Sequence, residues 1–224
     1  MIEIRNFFKR RVYKTLNSDL LRQILFRKSN IENGNIYFVS VNPKEIQYIS
    51  LLSEASADLK GRNARYGVYG GFWDYLKQPF KNYYLYPTVG AILKGKKLED
   101  TPLIKKIEKN AASEEEAIHQ FQKLERMILK FKNMGYKSQY ELNQLHRTRV
   151  IGEHTVPLHE IIVGMDRNGK LIRLVGGRHR LAIAQQIGIE EMTAILTLVH
   201  PKAIDKLPVK RRTITGDNED FRPF

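Results

Sequence analysis

A run from Leu171 to Gly188 constrains this chain most. Leu171 to Val175 is mostly apolar, Gly176-Gly177 follows, and Leu181, Ile183, Ala184 and Ile187 then recur at helical spacing. The spacing predicts strand, tight glycine turn and helix, in that order. Paired glycines let a backbone approach a ligand closely, and the amides of the first helical turn point at it. Arg178, His179 and Arg180 add three donor side chains where the helix dipole already favours an anion. A phosphate site is the expectation, with Gly176, Gly177, Arg178, His179 and Arg180 as its residues. The plainer alternative is an ordinary turn with solvated arginines. Cations in a first helical turn are mildly unfavourable, however, unless an anion offsets them.

Charge is the second constraint. The chain of 224 residues carries a formal +14, unevenly spread. Residues 1–30 hold eight Lys/Arg against two acids and residues 60–109 eleven against four, whereas residues 151–200 balance at five against five. Such a field favours phosphate-rich partners, so nucleic acid or an anionic membrane surface is expected through residues 1–30 and 60–109. No apolar run approaches the roughly 20 residues of a transmembrane helix. Met1 to Asn6 lacks the compact apolar stretch of a signal peptide, and the sequence has no cysteine. Disulfides and thiolate metal sites are therefore excluded, and a cytoplasmic protein, peripheral at most to a membrane, is expected.

Elsewhere the pattern is mixed. Residues 2–28 read as one or two basic amphipathic helices, Asn35 to Val41 as a short strand, Pro43 to Leu52 as a helix or turn, and 53–63 as a loop. Tyr69-Gly70-Gly71-Phe72-Trp73-Asp74 contains the single tryptophan, whose commonest use is to plug a core. An apolar helix is expected around Pro87 to Leu93. A second spans 113–134, where Ser113 and Glu116 make a capping box and Gly135 a stop. A short helix at 140–145 follows. Asp166-Arg167-Asn168-Gly169 is good hairpin chemistry. The tail 206–224 reads as exposed.

The glycine turn in this setting resembles the ParB/sulfiredoxin superfamily, whose members carry GERR, GGCHR or GRHR variants between a strand and a helix. Val156-Pro157-Leu158-His159-Glu160-Ile161 is similar to the opening of such domains, and the likeness covers about residues 150–203. Sulfiredoxins use the cysteine of GGCHR as nucleophile. Arg178 stands at that position, so thiol-based sulfinic acid repair is excluded. ParB partition proteins bind CTP through this turn. Amino-acid kinases of the same fold hold nucleotide phosphates on it and use a glutamate near the domain start as base, which implies Glu160. Many proteins with a GRHR-type domain also carry an upstream element similar to Gly70 to Asp74.

The expected fold is α+β: a mainly helical N-terminal region (1–148), packed on a small ParB/sulfiredoxin-like sheet-and-helix domain (149–205), with a tail (206–224). The expected function is binding of a nucleoside triphosphate, ATP or CTP with Mg2+, and transfer of its terminal phosphate to a small acceptor or to water. Arg178 and Arg180 would hold phosphate oxygens, and His179 would donate to one more or orient the acceptor. Glu160, Asp74 or Asp166 would bind magnesium or act as base, Asp74 lying beside the turn. The alternative is a nucleic-acid-binding protein, as a ParB-like nuclease or a nucleotide-gated DNA binder.

Overall fold

The computed structural model describes residues 27–28, 37–52, 67–109, 113–139, 142, 148–151, 154–157, 159–206 and 212–213. Residues 2–26, 53–63 and 207–211, most of the 140–145 segment and the end of the tail lie outside them. The strands are β1 (Arg27–Lys28), β2 (Tyr37–Val41), β3 (Tyr48–Ser50), β4 (Gly67–Gly70), β5 (Lys77–Pro79), β6 (Thr148–Ile151), β7 (His154–Pro157), β8 (Ile161–Met165), β9 (Leu171–Val175), β10 (Met192–Val199) and β11 (Arg212–Thr213). The helices are α1 (Leu85–Leu93), α2 (Pro102–Lys109), α3 (Glu114–Met134) and α4 (Arg178–Ile187). The class is α+β.

A mixed nine-stranded sheet runs β1-β4-β10-β8-β9-β3-β5, with β2 on the first half of β10 and β11 on β2. β6 and β7 form a separate hairpin. β8 lies at the centre because Ile161, Ile162, Val163 and Met165 are branched or long apolar residues, all buried, as a strand covered on both faces requires. It runs antiparallel to β9 and parallel to β10. The Asp166–Gly169 turn closes β8 onto β9 as its sequence predicts. Asp166 accepts the amides of Asn168 at 2.9 Å and Lys170 at 2.8 Å, and Gly169 has a φ of 81°.

The described part of region 1–148 holds three helices, as expected, but also short strands not foreseen from the sequence. β2, β3, β4 and β5 all join the sheet that β8, β9 and β10 build, so the sheet crosses the expected 148/149 boundary. Arg27–Lys28, expected at a helix end, pair with Tyr69 and Gly70, and the 43–52 segment makes a short 310 turn and then β3. The reason is burial. A sheet of β8, β9 and β10 alone would expose two edges, and the short N-terminal strands cover both. α4 is tied to the same half, since the Gln185 amide donates to the carbonyls of Pro43 (2.7 Å) and Ile46 (3.0 Å).

α1 to α4 line one face of the sheet, where Leu85, Val89, Leu103, Leu124, Leu181 and Ile183 meet Ile161 and Val163. α3 starts as its sequence predicts, with Ser113 Oγ accepting from the Glu116 amide at 3.2 Å, and stops at Gly135. Trp73 anchors the opposite face among Ile162, Leu174, Ile195 and Leu198. Its indole fits because position 164 is glycine: a Cβ there would lie 3.1 Å from the Trp73 ring. Trp73 Nε1 donates to the Tyr69 carbonyl at 2.8 Å, so its one polar atom is satisfied. The core-plug reading of Trp73 holds.

Candidate functional site

The glycine turn joins β9 to α4 at the end of the sheet where β8 begins. Gly176 (φ 73°) and Gly177 (φ 49°) are both left-handed, which side chains resist. Gly177 also rides on β8, where a Cβ would lie 2.1 Å from Cγ1 of Ile161. Gly177 is the N-cap of α4 and offers no side-chain oxygen to the first-turn amides, which have no acceptor inside a helix.

Cationic side chains converge on this turn. Arg173, buried in β9, donates from Nε to the Gly176 carbonyl at 2.7 Å and braces the turn from below. Arg178 reaches from α4 to the Tyr83 hydroxyl at 2.9 Å. Tyr83 is fixed in turn by packing on Phe80 and Tyr84. His179 registers the surrounding charge. Burial, then the charges of Arg178, Lys123, Arg173 and His159, push it down to about 3, so its imidazole is neutral at pH 7.

Arg180 points into the protein instead. Its Nη2 donates to Glu160 Oε1 at 2.9 Å and to the His159 carbonyl. Glu160 is buried and also accepts from the Gln139 amide (2.8 Å), the Tyr136 hydroxyl (3.2 Å) and its neighbour Ile161's amide (3.3 Å). Four donors hold one carboxylate, so Glu160 serves as counter-ion and clamp, not as the free base the sequence suggested. Arg180, expected on phosphate, spends Nη2 on that clamp. Its buried Nη1 has no hydrogen-bond partner among the described residues.

Asp74 and Asp166 lie at the opposite end of the β8–β9 hairpin, a five-residue strand or roughly 16 Å from the glycine turn. Asp74 is buried and accepts from Arg167 three times: Nε at 2.8 Å, Nη2 at 2.7 Å and the backbone amide at 3.0 Å. Burial alone would raise this carboxyl, but the hydrogen bonds and charge of Arg167 outweigh it and hold Asp74 below its ordinary value. Asp166 takes Lys77 Nζ at 2.5 Å besides its two turn amides. The expectation that Asp74 sits beside the turn is therefore corrected. Both carboxylates latch the Gly71–Tyr75 segment and β5 to the hairpin. A magnesium ion on either would have to displace a guanidinium or an ammonium, so these residues do not fit the metal role. Among the described residues, no group of three or more His, Asp or Glu side chains is placed to hold a metal ion.

The sequence therefore brings Gly176 to Arg180 and Glu160 together, and leaves Asp74 and Asp166 apart. Arg173, Tyr83, Lys123 and His159 were missed. Arg173 had a signal, as a charge in an apolar strand next to the turn, whereas Tyr83 and Lys123 arrive from distant helical segments without one. No family model, no curated protein and no solved structure matches the chain. No described helix is long and apolar enough to cross a membrane.

Proposed function

We propose that the protein binds a nucleoside triphosphate, or another phosphorylated small molecule, on the Gly176–Arg180 turn. The observation that carries this reading is the geometry of the turn: left-handed Gly176 and Gly177 open the N-terminus of α4, Arg173 braces the turn, and Arg178 and the half-buried His179 stand in the first helical turn. The first amides of α4 have no acceptor inside the helix, and a phosphate there would accept from them with Arg178 alongside. The buried Nη1 of Arg180 supports the same reading, because a buried donor without an acceptor is costly. The order strand, Gly-Gly-Arg-His-Arg, helix supports a ParB/sulfiredoxin-like arrangement around the site.

Binding is better supported than phosphoryl transfer. Transfer asks for a group that takes the acceptor's proton, and Glu160 is already held by Arg180. His179 is close enough to the turn, but an imidazole held at about 3 is a weak base. A thermal-shift panel of ATP, CTP, GTP and UTP, with and without magnesium, tests the reading alongside a phosphate-release assay. Stabilisation by at least one triphosphate, absent in Arg178→Ala, is expected. No stabilisation by any triphosphate or by inorganic phosphate would overturn it. Release of phosphate dependent on His179 would restore the enzyme reading.

A further inference from the structure

β4, β8 and β10 run parallel and end at one edge of the sheet, away from the glycine turn. They deliver Gly71–Tyr75, the Asp166–Gly169 turn and the 310 turn Pro201–Lys206 to the same place. There two large rings face outward: Phe72 is 54% exposed and Tyr75 58%. Their centroids are 6.0 Å apart with planes 27° from parallel. The guanidinium carbon of Arg167 lies 3.9 Å from the Tyr75 ring centre. The Tyr75 ring thus neighbours both the Phe72 ring and the Arg167 guanidinium. Trp73, between them in sequence, is buried on the sheet, Asp74 fixes Arg167 through two side-chain hydrogen bonds, and Arg167 Nη2 also holds the Gly71 carbonyl at 2.8 Å.

The segment therefore holds two aromatic rings in solvent where apolar burial would have favoured turning them in. Exposed Lys170, Lys202 and Lys206 stand on the adjoining turns against exposed Asp205, and Lys206 Nζ reaches the Asn168 carbonyl at 3.2 Å. Arg27 and Lys28 are in register with Gly70 and Tyr69, at the end of the strand that leads into the rings. We propose that Phe72 and Tyr75, backed by Arg167, form a stacking platform for the unpaired bases of a single-stranded nucleic acid, whose phosphates the neighbouring lysines hold. Flat aromatic faces beside cations suit bases, every one of which offers a π-face, and the recognition is accordingly indifferent to sequence. A duplex hides those faces inside its own stack. The platform shares no residue with the glycine turn and stands independently of what that turn binds.

Fluorescence anisotropy of the full chain with a labelled oligothymidine, the matching duplex and phosphatidylserine vesicles tests the proposal. Single-strand binding that weakens with salt is expected, with about a tenfold loss for Phe72→Ala or Tyr75→Ala and recovery in Phe72→Trp. Melting temperatures should stay close to wild type because both side chains are exposed, and Arg178→Ala should bind the oligonucleotide normally. If the alanine variants fail to fold, quenching of the added fluorophore in Phe72→Trp by oligothymidine decides, and no quenching overturns the platform. It is equally overturned by absent single-strand binding at low salt, by alanine variants that bind like wild type, by a preference for duplex, or by ring-dependent vesicle binding without ring-dependent oligonucleotide binding.

Discussion

At the turn end of the β8–β9 hairpin, Asp74 holds Arg167 and Asp166 holds Lys77, cation matched to anion. At the opposite end, Glu160 holds Arg180, while Arg173 and Arg178 brace and flank the glycine turn that opens α4. The two ends use the same residue types on one pair of strands, yet they manage charge differently. Matched pairs with several hydrogen bonds each make a latch: they fix backbone and leave little for a ligand to gain. The glycine turn instead presents the first amides of α4 beside Arg178, the setting in which the proposed anion would bind. Carboxylates alone are therefore poor guides to chemistry in this chain, since all three that the sequence nominated serve as counter-ions.

The comparison is broken most easily at Glu160. Glu160→Gln leaves Arg180 charged and buried, which typically costs about 3–5 kcal/mol when one partner of a buried pair is removed. Urea denaturation should show a loss of that size; a loss under about 1 kcal/mol would mean that Glu160 is no clamp. Asp74→Asn should cost less, about 1–3 kcal/mol, because Arg167 is 19% exposed and keeps Gly71 and Tyr75 as partners. The same variant should leave triphosphate affinity unchanged, which separates the latch from the site.

Acid provides a further contrast. The folded value of His179 is depressed, so below about 6.5 the unfolded chain takes up a proton that the folded chain refuses. Stability is therefore present above pH 6.5 and falls toward pH 3, by up to about 1.4 kcal/mol per pH unit. His200, lowered chiefly by burial, acts in the same direction, and Asp74 adds its share only below about 3.8. His179→Gln should flatten the slope between pH 6 and 4. An unchanged slope would place its origin in His200.

What the sequence could show follows from how local each signal is. The strand–turn–helix at 171–187, the Asp166 hairpin and the capped α3 were legible because periodicity and turn chemistry lie within a few residues of one another. β3, β4 and β5 were not, since strands of three or four residues such as Gly67-Val68-Tyr69-Gly70 carry too little alternation, and their partners lie far along the chain. Asp74 illustrates the limit for sites. Its type suited a metal or a base, but its partner Arg167 is 93 residues away and decides its role. Arg180 was misread for a local reason: it opens the buried stretch Arg180 to Ala184 and so turns inward, while Arg178 does not.

Side-by-side calorimetric titration of ATP and CTP into wild type, Arg178→Ala and Asp74→Asn tests the central claim most directly. Wild-type binding should be retained in Asp74→Asn and reduced about tenfold to a hundredfold in Arg178→Ala, the share of one charge-assisted contact to phosphate. Binding that survives Arg178→Ala, or that is lost in a folded Asp74→Asn protein, would contradict it.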